Sequence, residues 1–197
     1  PVANMDDDLS SIKANLNTAE LRKDRPKLIG YKYTILNDMG KKESSTVSCE
    51  SIEEARSFLS QLGFNVLDVQ ERSKMDIDIN IGNKIKAGDL SFCLTQLSTY
   101  IKAGIPLVDS VKILAKQATN KDLKKSFYQV VYELLKGENF SDALLAQGNV
   151  FPKLLINMVK TAEMTGDLSS ILDDMAEYYT SMENTRKQMK SAMTYPL

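Results

Sequence analysis

The chain has 197 residues, 43% hydrophobic and 26% charged, the proportions of an ordinary globular protein with one large or two small domains. A net charge of −1 argues against a general electrostatic grip on nucleic acid. With no histidine, the commonest general base and transition-metal ligand are both missing, and the two cysteines, Cys49 and Cys93, match no metal spacing and suit a reduced, cytoplasmic setting.

Residues 1–30 open with Asp6, Asp7 and Asp8, and behind that acidic start Leu9, Ile12, Leu16 and Ala19 recur at helical spacing. The pattern predicts a short amphipathic helix or, equally, a tail that orders only on a partner. Residues 31–70 read as a small ββαβ unit. Tyr31, Tyr33 and Ile35 alternate with Lys32 and Thr34 as in a half-buried strand, "NDMG" (37–40) signals a turn, and "ESSTVS" returns as a second strand. Ser51 followed by Glu54 forms a capping box ahead of a helical face of Ile52, Ala55, Phe58, Leu59 and Leu62. Gly63 stops that helix, and "FNVLDV" (64–69) is a third strand. A unit of about 40 residues is marginal alone and leans on something else.

Residues 71–88 read as a linker. Within it "DIDINIG" (76–82) imitates a calcium loop, but Ile81 stands where the loop needs glycine and Ala87 where it needs the closing glutamate. An edge strand or extended linker is the better reading.

Residues 89–197 read as six helices, each with a polar or proline start, an apolar stripe at 3.6-residue period and, in most, a glycine stop. Asp89 opens the first and Gly104 ends it; Pro106 opens the second; Asn120 starts the third and Gly137 ends it. A short fourth runs from Ser141 to Gly148, Pro152 opens the fifth, Gly166 ends it, and Asp167 caps the sixth. The sixth carries Leu168, Ile171, Leu172, Met175, Tyr178, Tyr179, Met182 and Met189 on one face. Short connections make neighbours antiparallel, so the fold class is mainly α: a six-helix antiparallel bundle preceded by a small α+β domain.

Little here suggests catalysis. "MGKK" (39–42) lacks the earlier glycine and the following Ser or Thr of a phosphate loop, and Cys93 lies on an apolar face with no histidine to activate it. The sixth helix is acidic to Glu183 and then basic, with Arg186, Lys187 and Lys190 running into "SAMTYPL", as at the cytoplasmic edge of a transmembrane segment. Asp167 is explained as a cap. Glu163 is not, because the last turn of a helix disfavours an acid. A basic partner, the exposed amides of a neighbouring helix, a divalent cation held with Asp167, or a subunit interface would each account for it.

Three stretches carry a family resemblance: "FCLTQLSTYIKAGIPLVDSVKILAKQ" (92–117), "ELLKGENFSDALLAQGNVFPKLLINMVKTAEMTGDLSSIL" (133–172) and "SAMTYPL" (191–197). The helical region closely resembles the type II secretion F domain of the inner-membrane platform proteins of type IV pilus and type II secretion machines. Gln96, Leu97, Ala103, Gly104, Pro106, Leu107, Gly137, Phe140, Ala143, Leu144, Phe151, Pro152, Glu163, Gly166, Leu168, Ala192, Tyr195 and Pro196 match its pattern, while Ala162 replaces the first glycine of its Gly-Glu motif. Residues 31–70 resemble the small domain that precedes the first F domain.

The resemblance implies a non-enzymatic, cytoplasmic bundle at the inner membrane, followed in the intact protein by a transmembrane helix after Pro196. Its implied partners are a cytoplasmic assembly ATPase, pilins, other inner-membrane assembly proteins and a second copy of the chain, with no nucleic acid. On that footing Gly104, Pro106, Leu107, Phe151, Pro152 and Glu163 are candidate partner contacts, Glu163 and Asp167 candidate ligands for a divalent cation, and no other cofactor is expected. The rival readings are a helical adaptor with no membrane role and a metal-dependent enzyme, the latter weakened by the missing histidines.

Overall fold

The computed structural model describes residues 26–73 and 84–194. The helix expected at 9–19 and the calcium-like stretch at 76–82 lie outside the described residues. Strands β1 (Ile29–Leu36), β2 (Lys42–Cys49) and β3 (Asn65–Glu71) form an antiparallel sheet in the order β2-β1-β3. The two-residue period settles which face is inside: Tyr31, Tyr33 and Ile35 are buried and Lys32 is exposed. The hairpin turn is tied by Asn37, whose Oδ1 accepts from the Met39 and Lys41 amides at 3.0 and 2.8 Å.

Helix α1 (Ile52–Gln61) packs Ala55, Phe58 and Leu59 inward. Its cap works much as the sequence indicates, Ser51 Oγ accepting from the Glu54 amide at 3.1 Å. The Glu54 carboxylate reaches one residue further back than a capping box requires, to the Glu50 amide at 3.2 Å.

The six bundle helices are α2 (Ala87–Lys102), α3 (Leu107–Gln117), α4 (Lys121–Leu135), α5 (Phe140–Leu145), α6 (Lys153–Thr165) and α7 (Leu168–Thr194). Asn120 caps α4, its Oδ1 accepting from the Asp122 and Leu123 amides at 2.9 and 3.1 Å. Helix α2 begins two residues before Asp89, which therefore lies in the first turn, where an acid suits the helix dipole, and not at the cap. Consecutive helices pack on one another, and α7 returns to lie along α2. Polar groups help fix that last pairing. Ser91 Oγ donates to the Ala176 carbonyl at 3.0 Å, Ser98 Oγ to the Ser169 carbonyl at 3.1 Å, and Lys102 pairs with Asp173.

The small sheet does lean on something: helix α4. The side-chain amide of Gln129 pairs with the Ser48 backbone as a neighbouring strand would, accepting from its N–H at 3.0 Å and donating to its carbonyl at 2.8 Å. Phe58 meets Tyr132 edge-on at 5.4 Å between centroids, and Phe64 meets Tyr128 at 5.3 Å. The Glu54 carboxylate accepts from the Tyr132 hydroxyl at 3.0 Å and the Lys136 ammonium at 2.8 Å, and Lys136 also reaches Glu50 at 2.9 Å. Sheet, α1 and bundle thus share one continuous core.

Helix α7, 27 residues and so about 40 Å long, outruns its neighbours. Leu172, Met175, Ala176 and Tyr179 are buried, but Met182 and Met189, on the stripe read as apolar, are exposed, and so is Met193 beyond it. From Ser181 to Met193 only Glu183 is even half-buried.

Candidate contact site at the α5–α6–α7 junction

Glu163 occupies the last turn of α6, and Gly166 ends that helix in the left-handed conformation, φ 77°, that glycine adopts without strain. The packing of α6 on α5 sets Glu163 at the start of α5. Its Oε1 accepts from the Ser141 amide at 3.2 Å and its Oε2 from the Ser141 hydroxyl at 2.6 Å. Asn139, at the N-cap of α5, makes no side-chain cap bond of its own. The carboxylate therefore caps α5 from a neighbouring helix, where the dipole favours the charge that the end of α6 disfavours. Of the accounts open to the sequence, an amide of a neighbouring helix supplies one observed partner, and the Ser141 hydroxyl supplies the other. Ser141 was the missing residue; it is buried, polar and in the first turn of a short helix, but nothing local links it to a position 22 residues on.

Asp167 caps α7, its Oδ1 accepting from the Ser170 amide at 3.3 Å. Ala162, next to Glu163, is fully buried. Among the described residues no group of three or more His, Cys, Asp or Glu side chains is arranged to hold a metal ion. We expect Glu163→Ala and Ser141→Ala each to lower unfolding free energy by about 1–2 kcal/mol, and the double variant to cost less than their sum, in urea denaturation. Calorimetric titration with Ca²⁺ or Mg²⁺ separates capping from cation binding, since only a bound cation gives heat that Glu163→Ala abolishes.

The other candidate contacts divide by exposure. Gly104 and Pro106 are exposed in the α2–α3 connection, Gly104 with φ 84°, and Leu107 is half-buried against the core. Phe151 is buried, its ring 5.7 Å from that of Phe127, while Pro152 is half-buried at the N-cap of α6. Neither thiol is poised for chemistry. Burial pushes Cys49 up to about 12 and Cys93 up to about 11.

A family model described as type II secretion system protein F matches residues 93–197. The type IV pilus assembly protein PilC of Myxococcus xanthus is 32% identical over 160 residues, covering 80% of this chain and 38% of that protein. PilC of Thermus thermophilus is 30% identical over 173 residues, 85% of this chain and 42% of that protein. The type II secretion system protein F of Pseudomonas aeruginosa is 23% identical over 175 residues, 86% of this chain and 43% of that protein. The chain thus spans about two fifths of the length of these relatives. No helix among the described residues is long and apolar enough to cross a membrane.

Proposed function

Because the chain belongs to the type II secretion system protein F family, we propose that it is a cytoplasmic part of an inner-membrane platform protein for type IV pilus or type II secretion assembly. Its work is mechanical. The bundle docks a cytoplasmic assembly ATPase and passes movement on to pilins or pseudopilins through other membrane-embedded parts of the same machine. The observation that carries this reading is α7. A single 27-residue helix is locked along α2 over its first half and leaves the bundle over its second. Its exposed end carries Arg186, Lys187 and Lys190, the charge expected of a segment approaching the cytoplasmic leaflet. A helix held this way is stiff enough to carry displacement between an ATPase-facing bundle and the membrane. The test is co-purification with the cognate assembly ATPase, using this chain and the full-length protein in parallel. Retention of the ATPase by either is expected; retention by neither rules the coupling role out.

A further inference from the structure

A crevice of about 750 Å³ lies where the hairpin end of the sheet, the exit of α1 and the α3–α4 connection meet. Five lysines line it, Lys42, Lys116, Lys121, Lys124 and Lys125, against two acids, Asp38 and Glu43. In a chain of net charge −1 this is a strong local excess. Glu43 already accepts a hydrogen bond from Asn37 Nδ2 at 2.7 Å. Lys42, Lys116, Lys121 and Lys124 form no ion pair among the described residues, and neither do Lys153 and Lys160 on α6; what sets the crevice lysines apart is that they converge on one concave site.

Helix physics gives no reason for this placement. Lys121 and Lys124 fall in the first turn of α4, where the dipole disfavours cations, and Asp122 is the acid of that turn. The N-terminal amides there are already served by Asn120, so the lysines, and not the helix end, define the surface. The wall beside them is apolar: Phe64 is half-buried, and Met39 at the hairpin tip is exposed.

We infer that this crevice docks an acidic polypeptide segment of a partner protein, one that also carries apolar side chains. The cations are point charges spread along an open channel from three separate elements, which suits charge distributed along a chain. The forked arginines or glycine-rich nest that fix a single phosphate in place are missing from the crevice lining, whose lysines are instead spread along it. Single-stranded nucleic acid would need exposed rings for base stacking, but Tyr33 and Tyr128 are buried. A bilayer surface is too flat to enter a concave site. This inference does not depend on the family-based function above, and it survives if no ATPase is retained.

The test is fluorescence anisotropy of a labelled 12-residue peptide alternating Asp and Leu, titrated with the whole chain. The expected result is saturable binding that weakens as salt rises. Lys121→Glu with Lys124→Glu should weaken it by about tenfold or more. The matched reversal Lys153→Glu with Lys160→Glu, on α6, should change it less than twofold. The melting temperature of the α4 double variant should hold or rise, because acids suit that helix end, so binding and stability move in opposite directions. Equal weakening in both double variants would mean unspecific charge attraction and overturns the proposal. So does tighter binding of phosphatidylglycerol vesicles, or of ATP, lost in the α4 variant alone.

Discussion

Phe151→Ala should cost about 3–5 kcal/mol of unfolding free energy and lower the melting temperature by about 10 °C, the effect of emptying a core aromatic site. Phe151 is 3% exposed and packs on Phe127, so its loss leaves a void between α4 and the turn into α6. That turn also carries Val150, whose carbonyl accepts from the Ile85 amide at 3.2 Å and ties the entry of the bundle to its middle. The neighbouring Pro152→Ala should cost well under half as much, because Pro152 is half-buried and acts mainly by restricting the backbone. Urea denaturation of the two variants reads the difference. An unchanged midpoint for Phe151→Ala, with partner binding lost, would instead mark the ring as a surface contact.

Glu54→Ala should destabilise the chain by about 2–3 kcal/mol, since it removes the carboxylate that accepts from three donors and leaves the hydroxyl of buried Tyr132 without its acceptor. Tyr132→Phe in the same chain should recover part of that loss, a coupling measurable by a double-mutant cycle. The contact also gives stability a pH dependence. Burial pushes the Glu54 carboxyl up, but hydrogen bonds from Lys136, Tyr132 and the Glu50 amide together outweigh it and hold the group below its ordinary value. A depressed carboxyl stabilises the fold fully above the ordinary value of 4.5, and that contribution is lost as pH falls through the folded-state value. The wild type should therefore lose stability on acidification below about pH 4.5, and Glu54→Ala should show a shallower slope. Some slope remains, because the hydrogen bond from Lys102 holds Asp173 down in the same direction.

Local signals in the sequence placed most of the fold. Ser51 and Asp167 cap the helices they were expected to cap, Asn120 starts its helix where expected, and the alternation at Tyr31, Tyr33 and Ile35 gave both strand and buried face. Contacts distant along the chain were illegible for a physical reason: a hydrogen bond between side chains on different helices leaves no periodic trace. Glu163 was visible as an anomaly, but its partner Ser141 was not, and the joining of Glu54 to Tyr132 and Lys136 left no mark either. Periodicity also shows which face of a helix is apolar without showing what covers it. Met175 and Met189 belong to one stripe, yet the first is buried under α2 and its neighbours and the second stands in solvent. The lysine crevice had one local clue, the "KDLKK" run (121–125) at a helix start, where bases are out of place.

The pairing of Gln129 with Ser48 has a consequence for aggregation. With the order β2-β1-β3, β2 is an edge strand, and an open edge is a template for strands of other molecules. Gln129 occupies that template at Ser48 with a side-chain amide that cannot propagate a ladder. The helix that steadies the sheet thus also blocks its growth at that point of the β2 edge, so any treatment that parts the sheet from α4 uncovers a sticky edge as it unfolds the joint.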